Sequence, residues 1–289
     1  MIKPLVSVGM PVYNAAAWLQ QSVRCILEQS VGDLELILSD NASSDASADM
    51  CAEFARLDAR VRFVRQPRNV GANQNYLFVQ RQARGKYFKW ASSNDLCSGD
   101  FLRQCIAALE RDATAVLAAP RAALFQDSPS DAIPYEQDLS VDAATPSARL
   151  RQYFATRGLN NAINGVMLLE QLNACRPLGV FSGADIVLMA ELAVRGKLLL
   201  VPDRLFLRRV APGAATSYRS KREAELHLAP ASKRPLRWQN WIYHARLLQG
   251  VSRAAPAGGE WLRCVEYGLR AGVWSRYDLL SDVRQAFGR

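Results

Sequence analysis

The strongest constraint on this chain is an alternation that runs through its first 125 residues. Short β-rich apolar runs each break into a polar knot, and each knot is followed by a stretch with helical spacing. "LVSVGMPVYN" is followed by Leu19, Val23, Ile26 and Leu27, whose spacing predicts a helix over 15–29. "LELILSDNASSD" precedes a helix over 46–57 marked by Met50, Phe54 and Leu57. "RVRFVRQPRNVG" precedes a helix carrying Ala72, Tyr76, Val79 and Ala83, and "KYFKWASSND" leads through "DFLRQCIAALERD" to a fifth strand, "TAVLAAPRAALF". Strands separated by helices of this length need right-handed crossovers. The expected product is an α/β domain with a mostly parallel sheet covered on both faces. Ligands in such sheets sit at the carboxyl ends of the strands, where every polar knot falls.

Beyond residue 125 the pattern loosens. Residues 126–148 are rich in Pro and Asp without a period and read as a loop or insertion. "ARLRQYFATRG" reads as a helix, and "NNAINGVMLLEQLNAC" leads into another. "SGADIVLMAELAVRG" is a helix with Ile186, Met189, Ala190 and Ala193 on one face and Gly196 as its stop. "KLLLVPDRLFLRRV" reads as a strand, a Pro turn and a second strand. The organisation expected is a catalytic domain over 1–218, with halves at about 1–125 and 149–218, and a helical extension over 219–289.

No run approaches the length of about 18 apolar residues that a membrane span requires, and Pro4 and Pro11 interrupt any N-terminal signal segment. The chain is therefore expected in the cytoplasm. Six scattered cysteines without a C-x-x-C pair, beside two histidines, argue for reduced thiols and against zinc. The net charge of +9 is concentrated late: 13 Lys or Arg against 6 Asp or Glu lie from Arg219 onward.

The knots at Tyr13-Asn14, Asp40–Asp45, Arg68–Gly71 and Ser92–Asp95 fall at one sheet edge. A carboxylate there accepts N–H or hydroxyl groups of a nucleoside, Arg68 suits a phosphate, and Asn94 with Asp95 offers oxygens to a divalent metal. Each also has a plainer reading: Asp40 and Asp45 as caps of the 46–57 helix, Arg68 as a solvated charge, Asn94-Asp95 as an Asx-turn.

With these motifs the chain resembles the family 2 glycosyltransferases, inverting enzymes with the nucleotide-sugar-binding GT-A fold. The resemblance runs from "VSVGMPVYNAAAWLQQSVRCILEQS" through "LELILSDNASSDAS" and "RQPRNVGANQNYLFVQRQARGKYFKWASSND" to "FSGADIVLMAELAVRGKLLLVPDRLFLRR" and Ser217. It implies that Pro11, Tyr13 and Asp40, with Asn14 and Asn41 beside them, hold the nucleobase and ribose. It also implies that Arg68 and Gly71 lie near the diphosphate and that Asp185 is the general base. At the first turn of its helix Asp185 would be held ionised by the macrodipole. The metal motif, ending in Ser93, Asn94 and Asp95, implies Mn2+ or Mg2+ at Asp95 and Asn94.

The sequence departs from the family where Asn94 replaces the usual Asp and Val210 replaces a His that follows the final-strand Arg. Either Asp95 takes over the metal, or Arg208 and Arg209 partly replace it, or activity is lost. The partners implied are a nucleotide-sugar donor, UDP- or dTDP-linked, and a glycan or lipid-linked glycan acceptor. The setting implied is bacterial surface polysaccharide or glycolipid assembly. A catalytically weak sugar-nucleotide-binding protein of the same fold is the alternative.

In the extension, Trp238, Trp241, Ile242 and Ala245 share a helical face flanked by Lys233, Arg234, Arg237, Arg246 and Arg253. It reads as a helix packed on the catalytic domain or an oligomer contact, or as a peripheral contact with the inner face of the membrane. Nucleic acid is not expected, because no binding module accompanies the charge.

Overall fold

The apolar runs become strands because their β-branched and leucine side chains can be buried on both faces of a parallel sheet. A computed structural model describes residues 3–210 and 220–287. Ser217 and the boundary expected at 218 lie outside the described residues. β1 (Val6–Val12) pairs in parallel with β2 (Leu34–Asp40), β2 with β3 (Val61–Arg65), and β1 with β4 (Tyr87–Trp90). The register sets Val12 opposite Asp40 and Asp40 opposite Arg65, so these carboxyl ends finish level.

Between the strands run α1 (Ala16–Leu27), α2 (Ser47–Leu57) and α3 (Ala72–Gln82). Alternation along the strands divides the interior in two. Val6, Val8, Met10 and Val12 pack with Leu19, Val23 and Ile26 of α1 on one face. Ile37, Phe88 and Trp90 pack with Val79 of α3 on the other.

After β4 the sheet becomes mixed. β5 (Leu96–Cys97) is followed by α4 (Phe101–Arg111) and the long β6 (Ala115–Phe125), and β7 (Ile133–Pro134) folds back on β6. The 126–148 segment is not a bare loop: Leu139 and Val141 are buried, and Val141 bridges Leu198. α5 (Pro146–Thr156) starts behind Thr145, whose hydroxyl accepts the Ala148 N–H.

"NNAINGVMLLEQLNAC" contains a 3-10 turn (Asn161–Asn164), the unanticipated strand β8 (Val166–Leu168) and a short α6 (Leu169–Ala174). β8 lies between β4 and β6, antiparallel to both. α7 (Ala184–Arg195) then leads to β9 (Lys197–Arg209). β9 is one strand and not two: its pairing with β6 jumps from Val201↔Pro120 to Arg204↔Arg121, so Pro202 sits in a bulge where its missing N–H is harmless. The strand order is β3-β2-β1-β4-β8-β6-β9-β5, with β7 beside β6. Within it β6 and β9 still pair in parallel, but β5, β7 and β8 run antiparallel to their neighbours.

The described part of the extension is largely helical: α8 (Lys221–Leu228), α9 (Gln239–Ala254), α10 (Gly259–Trp274) and α11 (Arg276–Phe287). α9 packs on α7, α10 on α5 and α9, α11 on α9, and α8 reaches α3. The buried stripe of α9 is Leu247, Gly250 and Val251, whereas Trp238 and Trp241 stay partly exposed. The face expected around the two tryptophans packs on α11 instead of α7: Trp238 meets the Phe287 ring, and Trp241 Nε1 donates to Leu279 O at 3.1 Å. On the α7 side, a Cβ at Gly250 would lie 3.0 Å from Glu191 Oε2, so glycine lets the helices meet without displacing that carboxylate. Burying Leu247 and Val251 contributes about 1.5–3 kcal/mol each to the docking.

Candidate active site

The level carboxyl ends of the strands open on a cleft of about 860 Å³. Pro11, Tyr13, Asn14 and Asn41 line it from the β1 and β2 ends, Ser93, Asn94 and Asp95 from the β4 end, and Arg208 and Arg209 from the end of β9. Asp185 faces the same space from the first turn of α7. Asp40, Arg68 and Gly71 are not among the lining residues.

The knots brace one another before they can bind anything. Asn14, with φ 47°, donates its backbone N–H to Ser43 Oγ at 2.9 Å, and its Oδ1 accepts from Ser44 N at 2.9 Å. Asn41 accepts from Val70 N and donates to Asn69 Oδ1, each at 2.9 Å, which ties the β2 end to the 68–71 loop. Asp45 stands one residue before the N-cap of α2, accepting from Ser47 N at 3.0 Å and from Ala16 N at 3.1 Å, so it ties the starts of α2 and α1 together. Asp40 has no exposed surface; its Oδ2 accepts from Ser43 N at 3.1 Å and faces Arg65 Nε at 3.5 Å, while its buried Oδ1 has no partner among the described residues. A buried carboxylate oxygen without a donor costs free energy unless a ligand supplies one.

Asp95 is half-buried on the cleft wall, and its Oδ1 accepts the Arg209 backbone N–H at 2.9 Å. Burial pushes its carboxyl up to about 6, against the pull of that N–H and of the Arg208 and Lys89 charges. Lys89 is buried beneath the loop, donating to the Trp90 and Asn164 carbonyls, with its ammonium 4.2 Å from the centre of the Phe101 ring.

Arg209, one of the two arginines weighed as a partial replacement for the metal, is committed to the protein. It is 4% exposed, and its guanidinium donates to the Asn94, Gln126 and Asp127 carbonyls and to Gln21 Oε1. It lies 4.4 Å over the Phe125 ring, so it braces the acidic loop. Arg208 is more accessible, although Nη1 is engaged with Leu159 O at 3.0 Å and Asn161 Oδ1 at 2.7 Å.

Among the described residues no cluster of three or more His, Cys, Asp or Glu is arranged to hold a metal. The donor set fits an ion held by the Asp95 carboxylate, with the Asn94 amide as a weaker ligand, and completed by ligand phosphates.

Several site residues escaped the sequence reading. Asn160, in a left-handed conformation, donates Nδ2–H to Asp185 Oδ2 at 3.0 Å, and Tyr153 Oη donates to Asn160 Oδ1 at 3.2 Å. This relay fixes the carboxylate from outside its own helix. The Asn160-Asn161 pair was the available signal, a polar step between two helical stretches. Glu223, Ala224, Leu226, His227, Leu228 and Pro230 form a roof over the cleft. Gly71, with φ +87°, admits the Leu228 carbonyl, which a Cβ would strike. No local sequence pattern announces that contact.

Comparison with known proteins agrees with this geometry. The family described as glycosyl transferase family 2 matches residues 7–162. An uncharacterized glycosyltransferase of Haemophilus influenzae is 35% identical over 104 residues, which are 36% of this chain and 42% of that protein. The putative teichuronic acid biosynthesis glycosyltransferase TuaG of Bacillus subtilis is 32% identical over 102 residues, 35% of this chain and 40% of TuaG. The alignments thus span well under half of these relatives. Among solved structures, S. aureus TarS 1-349 in complex with UDP superposes with a TM-score of 0.65 at 13% identity, covering 96% of this chain and 73% of that one. The mannosyltransferase PcManGT from Pyrobaculum calidifontis, in complex with GDP-Man and Mn2+, gives 0.54 at 14% identity, covering 99% and 76%. At these identities the likeness is one of fold, the GT-A fold.

Proposed function

The chain belongs to glycosyl transferase family 2, and on that premise we propose that it moves a sugar from a UDP- or dTDP-linked donor to an acceptor hydroxyl with inversion. The observation that carries this reading is Asp185, presented to the cleft at a helix N-terminus and held by Asn160. A helix N-terminus suits the negative charge that a base must carry. The acceptor hydroxyl gives its proton to Asp185 while its oxygen attacks the anomeric carbon. The nucleoside diphosphate leaves from the opposite face. A protein that only binds sugar nucleotides has no need of an oriented carboxylate there.

On the donor side, Tyr13 and Pro11 flank the nucleoside, and the unpartnered Oδ1 of Asp40 suits a pyrimidine N3–H if the base displaces the loop that covers it. Arg68, exposed in the knot before Gly71, is proposed to meet the diphosphate from the rim. Asp95 with Asn94 would hold a divalent ion between protein and diphosphate, and a bound ion supplies positive charge to the departing phosphates. Arg208 adds charge beside it. The complexes of TarS with UDP and of PcManGT with GDP-Man and Mn2+ support donor and ion as classes.

The teichuronic acid name of TuaG supports an acceptor in bacterial surface polysaccharide assembly. No helix among the described residues is long and apolar enough to cross a membrane. Exposed Leu262, Leu269, Val273 and Trp274 on α10 support peripheral contact with a membrane that carries a lipid-linked acceptor. The test is release of nucleoside diphosphate across a panel of UDP-, dTDP- and GDP-sugars with glycolipid acceptors. Release with no donor, or from GDP-sugars alone, refutes the donor reading.

A further inference from the structure

The loop that carries Asn94 and Asp95 runs into β5, and Cys97 at the end of that strand places its sulfur 3.6 Å from the sulfur of Cys25 in the last turn of α1. Both are free thiols. Their approach is braced from several sides. Gln29 Nε2 donates to Cys25 O at 2.9 Å, Ser98 O at 2.8 Å and Cys97 Sγ at 3.5 Å, while Gln29 Oε1 accepts from Leu102 N at 3.0 Å. The Cys25 thiol donates to Ser22 O at 3.2 Å, so its sulfur is held on this face of α1. Cys97 is 8% exposed and Cys25 is half-buried, so Cys25 is the more accessible member of the pair. Cys51, Cys105, Cys175 and Cys264 are buried.

An S–S bond is about 2.0 Å long, so closure needs roughly 1.6 Å of further approach, within reach of a side-chain rotation and a small backbone shift. We propose that Cys25 and Cys97 are a reversible disulfide-forming modification site behind the acidic loop, closed by a low-molecular-weight disulfide. The Cys25 sulfur gives up its proton and attacks one sulfur of the small disulfide, whose S–S bond breaks and releases one thiol. The Cys97 sulfur then loses its proton and attacks Cys25 Sγ, expelling the second thiol. Two protein S–H groups become one S–S bond, and the small disulfide takes up two electrons and two protons.

The position gives the modification a consequence. Cys97 pairs with Phe206 of β9, and the same strand supplies the Arg209 N–H that holds Asp95. Drawing Cys97 toward α1 pulls on β5 and on Asp95 two residues before it, so the oxidised form binds nucleotide with a divalent ion less well.

The full-length protein is incubated with oxidised glutathione, quenched with an alkylating agent and analysed by intact mass and peptide mapping. The expected result is two fewer alkyl labels than the untreated control carries, with a further loss of about 2 Da, a Cys25–Cys97 linked peptide, and full reversal by dithiothreitol. Cys25→Ser removes the linked peptide, while Cys51→Ser leaves it. A stable glutathione adduct on Cys25 without the link, or links between other cysteines, overturns the proposal. This readout does not depend on what the enzyme transfers. Thermal-shift titration with UDP and manganese then compares the two forms. A smaller shift after oxidation is expected, and equal shifts overturn the coupling to the acidic loop.

Discussion

Replacing Asp95 with Asn tests whether the protein strains against its own carboxylate. Burial raises this group from an ordinary 3.8 to about 6. The direction fixes the pH window. Below about 4 both folded and unfolded chains hold the proton and the residue contributes nothing to pH dependence. Between about 4 and 6 the folded state keeps a proton that the unfolded state has released, so stability falls as pH rises. Above about 6 the penalty is complete, and two units at about 1.4 kcal/mol each make it up to about 3 kcal/mol. The half-buried position, open to cleft water, trims that figure. The amide that replaces the carboxylate keeps an oxygen for the Arg209 N–H and never ionises.

The Asp95→Asn variant is therefore expected to be about 1–3 kcal/mol more stable than wild type in urea denaturation at about pH 7.5, and equal to it at about pH 4. Manganese with UDP reverses the order, because only wild type gains ion-binding energy on the folded side. A difference that does not change with pH, or a variant less stable near neutrality without ligand, refutes the reasoning.

Asp185→Asn should keep donor affinity while turnover falls about 100-fold or more, measured as nucleoside diphosphate release under saturating donor. Asp40→Ala should weaken UDP and dTDP by about 1–3 kcal/mol in calorimetry, and unchanged affinity removes Asp40 from base recognition. Gly71→Ala places a side chain at positive φ, a cost of about 1–2 kcal/mol, and strikes the Leu228 carbonyl; α8 should become protease-sensitive and the donor KM should rise. The protein should sediment with anionic vesicles at low salt and release as salt rises, whereas indifference at low salt assigns the C-terminal region to packing or to an oligomer interface.

The sequence announces the elements of residues 1–125 well because the signal there is local. β1 to β4 are apolar runs whose ends are polar, and parallel pairing brings those ends level whatever the details of packing. β8 was hidden for the opposite reason: Val166–Leu168 is too short for alternation to show, and it is a strand only because β4 and β6 leave a gap between them. The charge of Arg209 is plain in the sequence, but its use as an internal brace depends on carbonyls at 94, 126 and 127 that only the fold assembles. Asp185 was singled out by the family resemblance, and it lines the cleft from the first turn of α7. Its Asn160 partner, 25 residues earlier, depends on the turn after α5. In α9 the large tryptophan rings mark one face in the sequence, yet the stripe that meets α7 is Leu247, Gly250 and Val251.

The Leu228 contact with Gly71 also has a consequence for the order in which the site comes into being. Synthesis proceeds from the N-terminus, and domains begin folding as they emerge. A nascent chain that has emerged through β9 already owns every strand end that faces the cleft, together with Asp95, Asp185 and Arg208. It does not yet own Glu223 to Pro230, so its cleft is an unroofed groove. Donor present during translation meets a surface that can touch it but cannot enclose it. A ligand-stabilised fold is therefore a property of the finished chain, and ribosome-bound intermediates should gain little protection from nucleotide until α8 has been released.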